Sequence, residues 1–144
     1  MYNFDLSNFP IVKVKLIGKI ENDNDFKSFT KEWEELYNYN ENFIMIFDTS
    51  EIGNVNLKYC FLLSYFIKKL KKKNPQYLSF SLIYTPSSYI EKMLRFIFYL
   101  SSPIAPVYII KKFETDYVDN LINNIKSENK IHDKTIYLIK PHKK

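Results

Sequence analysis

Apolar residues along the chain follow two spacings in turn, one typical of strands and the other typical of helices. Between residues 11 and 20, apolar and lysine side chains alternate, which predicts a strand with one exposed face. After residues 22–25, apolar side chains recur three and four positions apart, and the Asn and Asp side chains of that segment predict a capped helix start. Residues 43–47 are apolar without a break, as is typical of a strand covered on both faces.

The same reasoning predicts further strands and helices in alternation. The third helix is predicted to open with a capping box made of Ser88 and Glu91. Strands that alternate with helices favour a largely parallel sheet with right-handed crossovers. We therefore predict an α/β fold with a single mixed, mostly parallel sheet of five to six strands and about four helices. The remaining predicted strands are residues 2–6, 78–84, 107–110 and 135–139, and the remaining helices begin near residues 57, 88 and 115.

The length of 144 residues suits one domain that buries its own core without metals or disulfides. We assign residues 1–144 to a single domain, and we expect an extra strand near residues 134–140 to add to a sheet edge or to pair with a partner. Hydrophobic residues make up 46% of the chain and charged residues 26%, as is ordinary for a soluble globular protein.

Neither a secretory signal nor a membrane span is predicted. The N-terminus has no basic segment followed by an apolar core, and Cys60 has no second cysteine with which to form an intramolecular disulfide. We therefore expect an intracellular, reducing compartment, with the cytoplasm as the simplest case. The apolar stretch at residues 93–110 contains Arg95 and two prolines, which predicts a buried helix followed by a buried strand rather than a membrane span.

Polar residues follow the predicted central strands, at the edge where open α/β folds place their functional loops. Asp48 ends the apolar run at residues 43–47, and Gly53-Asn54 predicts a turn before the second helix. A lone carboxylate at a strand end usually caps the following backbone, so we predict a structural role for Asp48 and a turn role for Ser50 before any chemical one. The candidate partner-binding residues in these segments are Asp48, Ser50, Asn54, Asn56, Lys58 and Thr85.

The sequence patterns that carry catalysis are missing. With only 2 glycines the chain has no Gly-rich phosphate loop, and it contains no Gly-x-Ser-x-Gly elbow. His132 and His142 lie in polar surroundings near the C-terminus, with no evident serine or cysteine partner and no metal-ligand spacing. We therefore predict a protein that is not an enzyme and needs no cofactor or metal.

The net charge is +5, and lysines cluster at residues 68–73, at the end of the second predicted helix. Cations stabilise a helix C-terminus, whereas a nucleic-acid site usually combines arginines with aromatic residues on one face. Because Arg95 is the single arginine, we predict a solvated helix end rather than a nucleic-acid site. Residues 61–66 are largely apolar, so peripheral contact with an anionic membrane stays open unless that helix packs against the sheet.

Short motifs at the strand ends carry a resemblance to a known family. Ile-Gly-Lys-Ile at residues 17–20 closes an early strand, and Asp-Thr-Ser at residues 48–50 closes the next one. Residues 82–86 pass from a strand into a loop, and after a helix residues 107–110 form another strand. In this order the chain resembles the STAS domain of anti-sigma-factor antagonists and transporter tails, and CRAL-TRIO lipid-transfer domains share the general fold. The resemblance spans about residues 11–125.

The chain departs from the STAS pattern at the start of the second helix. Bacterial antagonists of this family are switched by phosphorylation of a serine in an Asp-Ser-Ser-Gly segment, which falls here on Asn-Leu-Lys-Tyr at residues 56–59. Lys58 can neither accept a phosphate nor imitate its charge. The resemblance therefore implies a non-enzymatic protein–protein interaction module without the phosphoserine switch. Its partner would be another protein, a larger assembly or a second copy of the chain.

A small CRAL-TRIO-like carrier is the alternative that the resemblance implies. The predicted helix around residues 93–100 is apolar nearly all round, so it must bury two faces. One face meets the sheet, and the other could meet a lipid or another apolar ligand. A carrier of this kind needs an interior cavity of roughly 300 Å³ or more.

Overall fold

The computed structural model describes residues 1–128, 131 and 133–141 of the chain. His132 and His142 therefore lie outside the described residues. The strands are β1 (Tyr2–Asp5), β2 (Ile11–Ile20), β3 (Phe43–Val55), β4 (Leu78–Tyr84), β5 (Val107–Ile110) and β6 (Tyr137–Ile139). The helices are α1 (Asp23–Glu35), extended by a short 3₁₀ turn at Leu36–Tyr39, α2 (Leu57–Leu70), α3 (Ser88–Leu100) and α4 (Thr115–Lys126).

The strands form one sheet in the order β1-β2-β3-β4-β5-β6. Strands β2 to β5 run parallel, and β1 and β6 are antiparallel to their neighbours at the two edges. The predicted fold class, a mixed and mostly parallel α/β sheet, is confirmed. The predicted extra strand adds to the sheet edge beside β5, where Val107 pairs with Ile139, and it is shorter than expected.

Helices cover both faces of the sheet, which explains the unbroken apolar run of β3. Phe43, Met45 and Phe47 face the layer formed by α1, α2 and α3, whereas Ile44 and Ile46 face α4. Right-handed crossovers between successive parallel neighbours place α1, α2 and α3 on one face. Helix α4 leads to the antiparallel strand β6, so the preference for right-handed crossovers between parallel strands does not apply to it. Helix α4 packs on the opposite face of the sheet.

Strand β3 is longer than the sequence predicted. We predicted a strand over residues 43–47 that ends before Asp48 and a turn at Gly53-Asn54, but β3 continues to Val55. Its pairing with β4 stops at Asp48, opposite Tyr84, while its pairing with β2 continues to the end. The prediction was wrong because β2 offers a backbone partner well beyond Asp48, and hydrogen bonding along that edge outweighs the turn propensity of Gly-Asn.

The cap of α3 also differs from the prediction. Ser87, and not Ser88, is the N-cap, and its Oγ accepts a hydrogen bond from the Ile90 backbone N–H at 3.4 Å. Glu91 does not close a capping box, because its carboxylate pairs instead with Arg95 at 2.9 Å and with Lys111. The helix therefore starts where predicted, although a different serine caps it.

Deletion of the chain from Lys134 onward removes β6 and tests its role as an edge strand. Tyr137 and Leu138 are exposed, so we expect the truncated chain to stay folded and to lose about 1–2 kcal/mol of unfolding free energy. The uncovered edge of β5 should then promote self-association that increases with concentration. Thermal unfolding and light scattering at several concentrations measure the two effects. Loss of the cooperative unfolding transition would show instead that β6 is integral to the domain.

Candidate functional site

An open polar cleft of about 420 Å³ lies where α1 and α2 begin. The two helix starts are neighbours because they follow the parallel strands β2 and β3, whose last residues, Ile20 and Val55, are paired. The Asn56 backbone N–H donates to the Ile20 carbonyl at 3.2 Å and fixes this juxtaposition. We call this surface the helix-start cleft, and it is lined by Glu21, Asn22, Asp23, Asn24, Asn56, Lys58 and Tyr59.

Asparagine side chains cap both helices at the helix-start cleft. The Asn22 Oδ1 accepts from the backbone N–H groups of Asn24 at 2.8 Å and Asp25 at 3.2 Å. The Asn56 Oδ1 accepts from the Lys58 N–H at 2.9 Å. These bonds satisfy donors that have no partner within the first helical turn. Asn56, predicted as a partner-binding residue, therefore has a clear structural role as a cap.

Asp23 joins the two helix starts. Its carboxylate accepts from Lys58 Nζ at 2.9 and 3.1 Å and from the Tyr59 hydroxyl at 2.7 Å. Tyr59 is buried, whereas the side chains of Lys58 and Asp23 are about half exposed, at 53% and 55%. An exposed ion pair of this kind adds little to stability, so its main effect is to fix the arrangement of charges in the cleft.

The contact between Asp23 and Tyr59 shifts the pKa values of both groups. The hydrogen bond from Tyr59, aided by Lys58, holds the pKa of the Asp23 carboxyl below its usual value. The same hydrogen bond, aided by burial, raises the pKa of Tyr59 to about 12. The carboxylate and the neutral phenol are thus the favoured forms in the folded protein. Their contribution is lost as pH falls through the lowered pKa of Asp23 or rises through the raised pKa of Tyr59.

Replacement of Tyr59 by Phe removes only the hydroxyl that donates to Asp23. We expect the pKa of Asp23 to rise toward its ordinary value of about 3.9, and the loss of stability on acidification to become smaller. An NMR titration of the Asp23 side-chain carbonyl carbon measures the first effect. Tyr65→Phe, a change at an exposed tyrosine of α2, is the matched control. An identical Asp23 titration in Tyr59→Phe and wild type would contradict the hydrogen bond.

Asp48 and Ser50 do not join the helix-start cleft. At about 3.3 Å per strand residue, Asp48 lies roughly 20 Å along β3 from Val55. Its Oδ1 accepts from the Ser50 backbone N–H at 2.9 Å and from the Ser50 hydroxyl at 2.6 Å. This agrees with the predicted structural role of Asp48, which satisfies the adjacent backbone. Asn54 is exposed within β3 rather than in a turn.

Thr85 is fully buried, so its side chain is not available to a partner in this structure. It follows β4 directly, and its backbone N–H donates to the Ile110 carbonyl at 3.1 Å. Its carbonyl accepts from Lys111 Nζ at 2.8 Å. The expectation that Thr85 presents a recognition loop is therefore corrected, because the chain bonds back onto β5 immediately after the strand.

The sequence did not indicate that residues 21–24 belong to the same surface as Asn56 and Lys58. The Asn22–Asp25 segment was interpreted only as a helix cap, which it is. Its closeness to the start of α2 depends on β2 and β3 being neighbours in the sheet, and no short sequence pattern encodes that pairing. Tyr59 belongs to residues 56–59, the segment compared with the STAS pattern, but the sequence does not predict its hydrogen bond to Asp23.

An exposed apolar stripe continues from the helix-start cleft along α2. Leu57, Phe61 and Tyr65 are spaced four residues apart and are 58%, 43% and 69% exposed. The Phe61 ring also packs edge-on against Phe96 of α3, with centroids 5.6 Å apart. The opposite side of α2 is buried, as Cys60 illustrates at 1% exposure. We call Leu57, Phe61 and Tyr65 the α2 stripe.

An interior cavity of about 120 Å³ lies between the sheet and helices α1, α2 and α3. Its position, with Met93 and Ile97 of α3 in its wall, is where the carrier alternative requires a ligand. Its volume is well below the roughly 300 Å³ at which pockets for drug-sized ligands begin. The cavity therefore has the expected place but not the expected size for a lipid.

No family model, curated protein or solved structure matches the chain. Within the described part of the chain, the helices fall short of the length and apolar character that a membrane span requires. Among the same residues, no three His, Cys, Asp or Glu side chains lie close enough together to hold a metal ion. The fold and the site thus define an α/β protein with a polar helix-start cleft, an exposed α2 stripe and a small apolar cavity.

Proposed function

We propose that this chain is a non-enzymatic, STAS-like protein–protein interaction module whose recognition surface is the helix-start cleft together with the α2 stripe. One observation carries the proposal: Leu57, Phe61 and Tyr65 are exposed on a helix whose other side is buried in the core. Contiguous apolar surface rimmed by polar groups is typical of protein interaction sites, and tyrosine is enriched among the residues that dominate binding energy.

The order and pairing of the elements support the STAS-like part of the proposal. β2, α1, β3 and α2 follow one another as strand, helix, strand and helix, and β4, α3 and β5 continue the alternation, which is the sequence of elements that the resemblance implies. Gly18 lies at an irregularity of β2 with φ of +72°, a conformation that favours glycine. The extension of β3 to Val55 departs from the family pattern, because only Asn56 then separates the strand from α2.

The charges at the helix-start cleft support recognition without a phosphoserine switch. The Asp23 carboxylate lies in the first turn of α1 and contacts Lys58 in the first turn of α2. Negative charge near a helix N-terminus is stabilised by the helix dipole, and phosphoserine would supply such a charge only after modification. The Asp23–Lys58 ion pair is present without any modification, so the proposed recognition surface does not depend on phosphorylation.

The α2 stripe also indicates the chemistry of the partner. Tyr65 lies beneath the ammonium of Lys68, at 5.8 Å from its ring centroid, and the exposed Lys72 follows one turn later. An apolar partner surface flanked by acidic side chains would complement this combination of rings and lysines. A second copy of this chain carries the same lysines beside its α2 stripe, so charge repulsion disfavours direct pairing of two such stripes.

A pull-down from native extract with matched variants tests the proposal. Lys58→Glu reverses a charge in the cleft, and Phe61→Ser removes the central ring of the α2 stripe. Lys126→Glu makes the same charge change on α4, on the other face of the sheet. We expect a defined set of proteins to be captured by wild type and Lys126→Glu and to be reduced at least tenfold with the two α2 variants.

Equal capture by all four proteins would remove α2 as the recognition surface. Circular dichroism of each variant confirms that it is folded before binding is compared. Sedimentation with anionic vesicles provides a second arm, and binding that disappears in Phe61→Ser would assign the stripe to a membrane and overturn the proposal. Native mass spectrometry tests the carrier alternative, since a lipid that co-purifies with the chain would favour that class.

A further inference from the structure

Helix α3 carries a second apolar side that stays half exposed. Its residues are spaced three and four positions apart, and we call them the α3 row: Tyr89, Met93, Phe96 and Leu100. Tyr89 is 48% exposed and the other three are half-buried, whereas Ile90 and Ile97 on the remaining apolar side of the helix are buried. A helix that is apolar on most sides usually buries all of them, so the α3 row indicates a contact that the domain itself completes only in part.

The α3 row lies beside the α2 stripe. Helices α2 and α3 each connect two neighbouring parallel strands, so they run side by side in the same direction. The Phe61 and Phe96 rings meet edge-on with centroids 5.6 Å apart, and Cys60, Ile67 and Ile97 form a buried cluster of the same two helices. The α2 stripe and the α3 row therefore border a shallow groove, the α2–α3 groove, with the contact of the two rings in its floor.

The walls of the α2–α3 groove determine which kind of element it suits. Both walls are helices, whose interior backbone groups bond within the helix and offer nothing to a docking strand. A strand laid there would keep backbone N–H and C=O groups without partners, whereas a helix satisfies its own. Helix α2 has 14 residues and is thus about 21 Å long, which matches roughly four turns of a docked helix.

The charges around the α2–α3 groove are mostly positive. Residues 57–73 contain lysines and neither Asp nor Glu, and the one acid of α3, Glu91, already pairs with Arg95 at 2.9 Å and with Lys111. Acidic side chains along the flanks of a docked helix would complement these cations, whereas a second copy of the chain would bring the same lysines and be repelled. The exposed cations on the two helices are Lys68, Lys72 and Lys92.

The depth of the α3 row favours a helix over a membrane surface. An interfacial membrane helix immerses its whole apolar side by about 5–10 Å. Met93 and Phe96 lie half-buried next to α2, so a flat bilayer would contact the more exposed Tyr65 and Tyr89 first and leave the floor of the groove uncovered. A helix seated between α2 and α3 reaches that floor with single side chains.

We propose that the α2–α3 groove binds an amphipathic helix of another protein, about four turns long, whose apolar side covers Phe61 and Phe96 and whose flanks are acidic. The inference rests on the proposed function, because it names the partner of the same surface. It adds α3 to that surface and fixes the structure of the recognised segment. Docking of this kind would complete the burial of the α3 row and the α2 stripe.

Selection from a phage-displayed library of random peptides of about 16 residues on the wild-type chain tests this inference. We expect enriched peptides to carry apolar residues at i, i+3 or i+4, and i+7, with Asp or Glu on both flanks. An isolated helix of this length is marginal in water, so a synthetic copy of the best peptide should gain helical circular dichroism on binding. Fluorescence anisotropy of the labelled peptide then gives its Kd.

Variants of α3 locate the peptide. Phe96→Ser and Tyr89→Ser should each weaken binding roughly tenfold or more, because aromatic side chains often dominate the energy of an interface. Tyr39→Ser is the matched control: Tyr39 is 54% exposed, and its ring packs on Phe9 next to the start of β2. Its peptide affinity should equal that of wild type. Circular dichroism establishes which variants are folded, and either α3 variant suffices.

Charge reversal tests the acidic flanks of the partner. Lys72→Glu should weaken peptide binding about fivefold, whereas Lys126→Glu on α4 should leave it unchanged. Binding should also weaken as salt increases, because the charges involved are exposed. A peptide that binds Lys72→Glu as tightly as wild type would overturn the assignment of acidic flanks.

Four other results would overturn the inference. Enriched peptides that alternate apolar and polar residues would identify a strand. If Phe61→Ser abolished their binding, the proposed α2 recognition surface would still stand. Helical peptides that bind Phe96→Ser and Tyr89→Ser undiminished would place the partner off the groove. A selection with no enrichment over the Phe61→Ser protein would leave the groove without a helical ligand, and the pull-down decides the proposed function separately. Sedimentation with anionic vesicles that is lost in Tyr89→Ser would assign the groove to a membrane.

Discussion

Leu82→Ala is expected to lower the free energy of unfolding by about 3–4 kcal/mol, a large part of the 5–15 kcal/mol that typically stabilises a domain. Leu82 is 0% exposed at the centre of the sheet, between Ile46 of β3 and Tyr108 of β5. Its side chain belongs to the core under α4, which is closed by Val118 and its neighbours. Both strands that flank it are fixed by the sheet, so the site cannot collapse to fill the space that the mutation leaves.

Urea denaturation measures this loss, and an unchanged m-value would show that the unfolded state is the same. Leu57→Ala is the matched control, because it makes the same chemical change at a side chain that is 58% exposed. We expect its unfolding free energy to stay within about 0.5 kcal/mol of wild type. Equal losses at the two positions would contradict the assignment of Leu82 to the core.

Trp33→Ala is expected to cost about 3–5 kcal/mol, since it removes the largest side chain of the core between the sheet and α1 to α3. Trp33 packs against Phe29, Phe47 and Phe66 with centroid distances of 5.9, 5.4 and 5.3 Å. It also forms part of the cavity wall, so its removal enlarges a void that is already present. The larger void can neither fill with water nor close, and the destabilisation should be near the upper end of that range.

Trp33→Phe separates ring packing from the unpaired indole donor. Phe keeps much of the aromatic surface and removes the Nε1–H that lacks a partner, so we expect a loss of only about 1–2 kcal/mol. Far-UV circular dichroism follows both unfolding curves, because the variants lack the only tryptophan. A loss in Trp33→Phe as large as that in Trp33→Ala would indicate that the indole nitrogen has a partner in solution.

The spacing of apolar residues predicted the order of helices and strands because each of these segments follows one spacing along most of its length. The helix Leu57–Leu70 begins at the predicted residue and the strand Leu78–Tyr84 has the predicted limits, since apolar spacing acts over a few neighbouring residues. The limits of β3 were not predictable in this way. Its residues 49–55 are held by pairing with β2, a contact between segments that are far apart in the chain.

The residues of the candidate site were likewise predicted only in part. The sequence identified Asn56 and Lys58, because they stand at a helix start that a family pattern made conspicuous. It also placed Asp48, Ser50 and Thr85 with them, and the structure separates all three from the helix-start cleft. Asp48 and Ser50 are separated from the cleft by distance along β3, and Thr85 is fully buried, and residue types alone predict neither feature.

The sequence by itself determined the α/β class, the single mixed sheet and the capped start of α1, because hydrophobic period and capping chemistry act over a few residues. Only the tertiary structure decided that Asp23 meets Lys58 and Tyr59, that α4 packs on the face opposite α1 to α3, and that a cavity remains beside Trp33. These features arise from the order of strands and from how side chains of distant segments fill space. Such contacts depend on the whole packed chain, which no local pattern specifies.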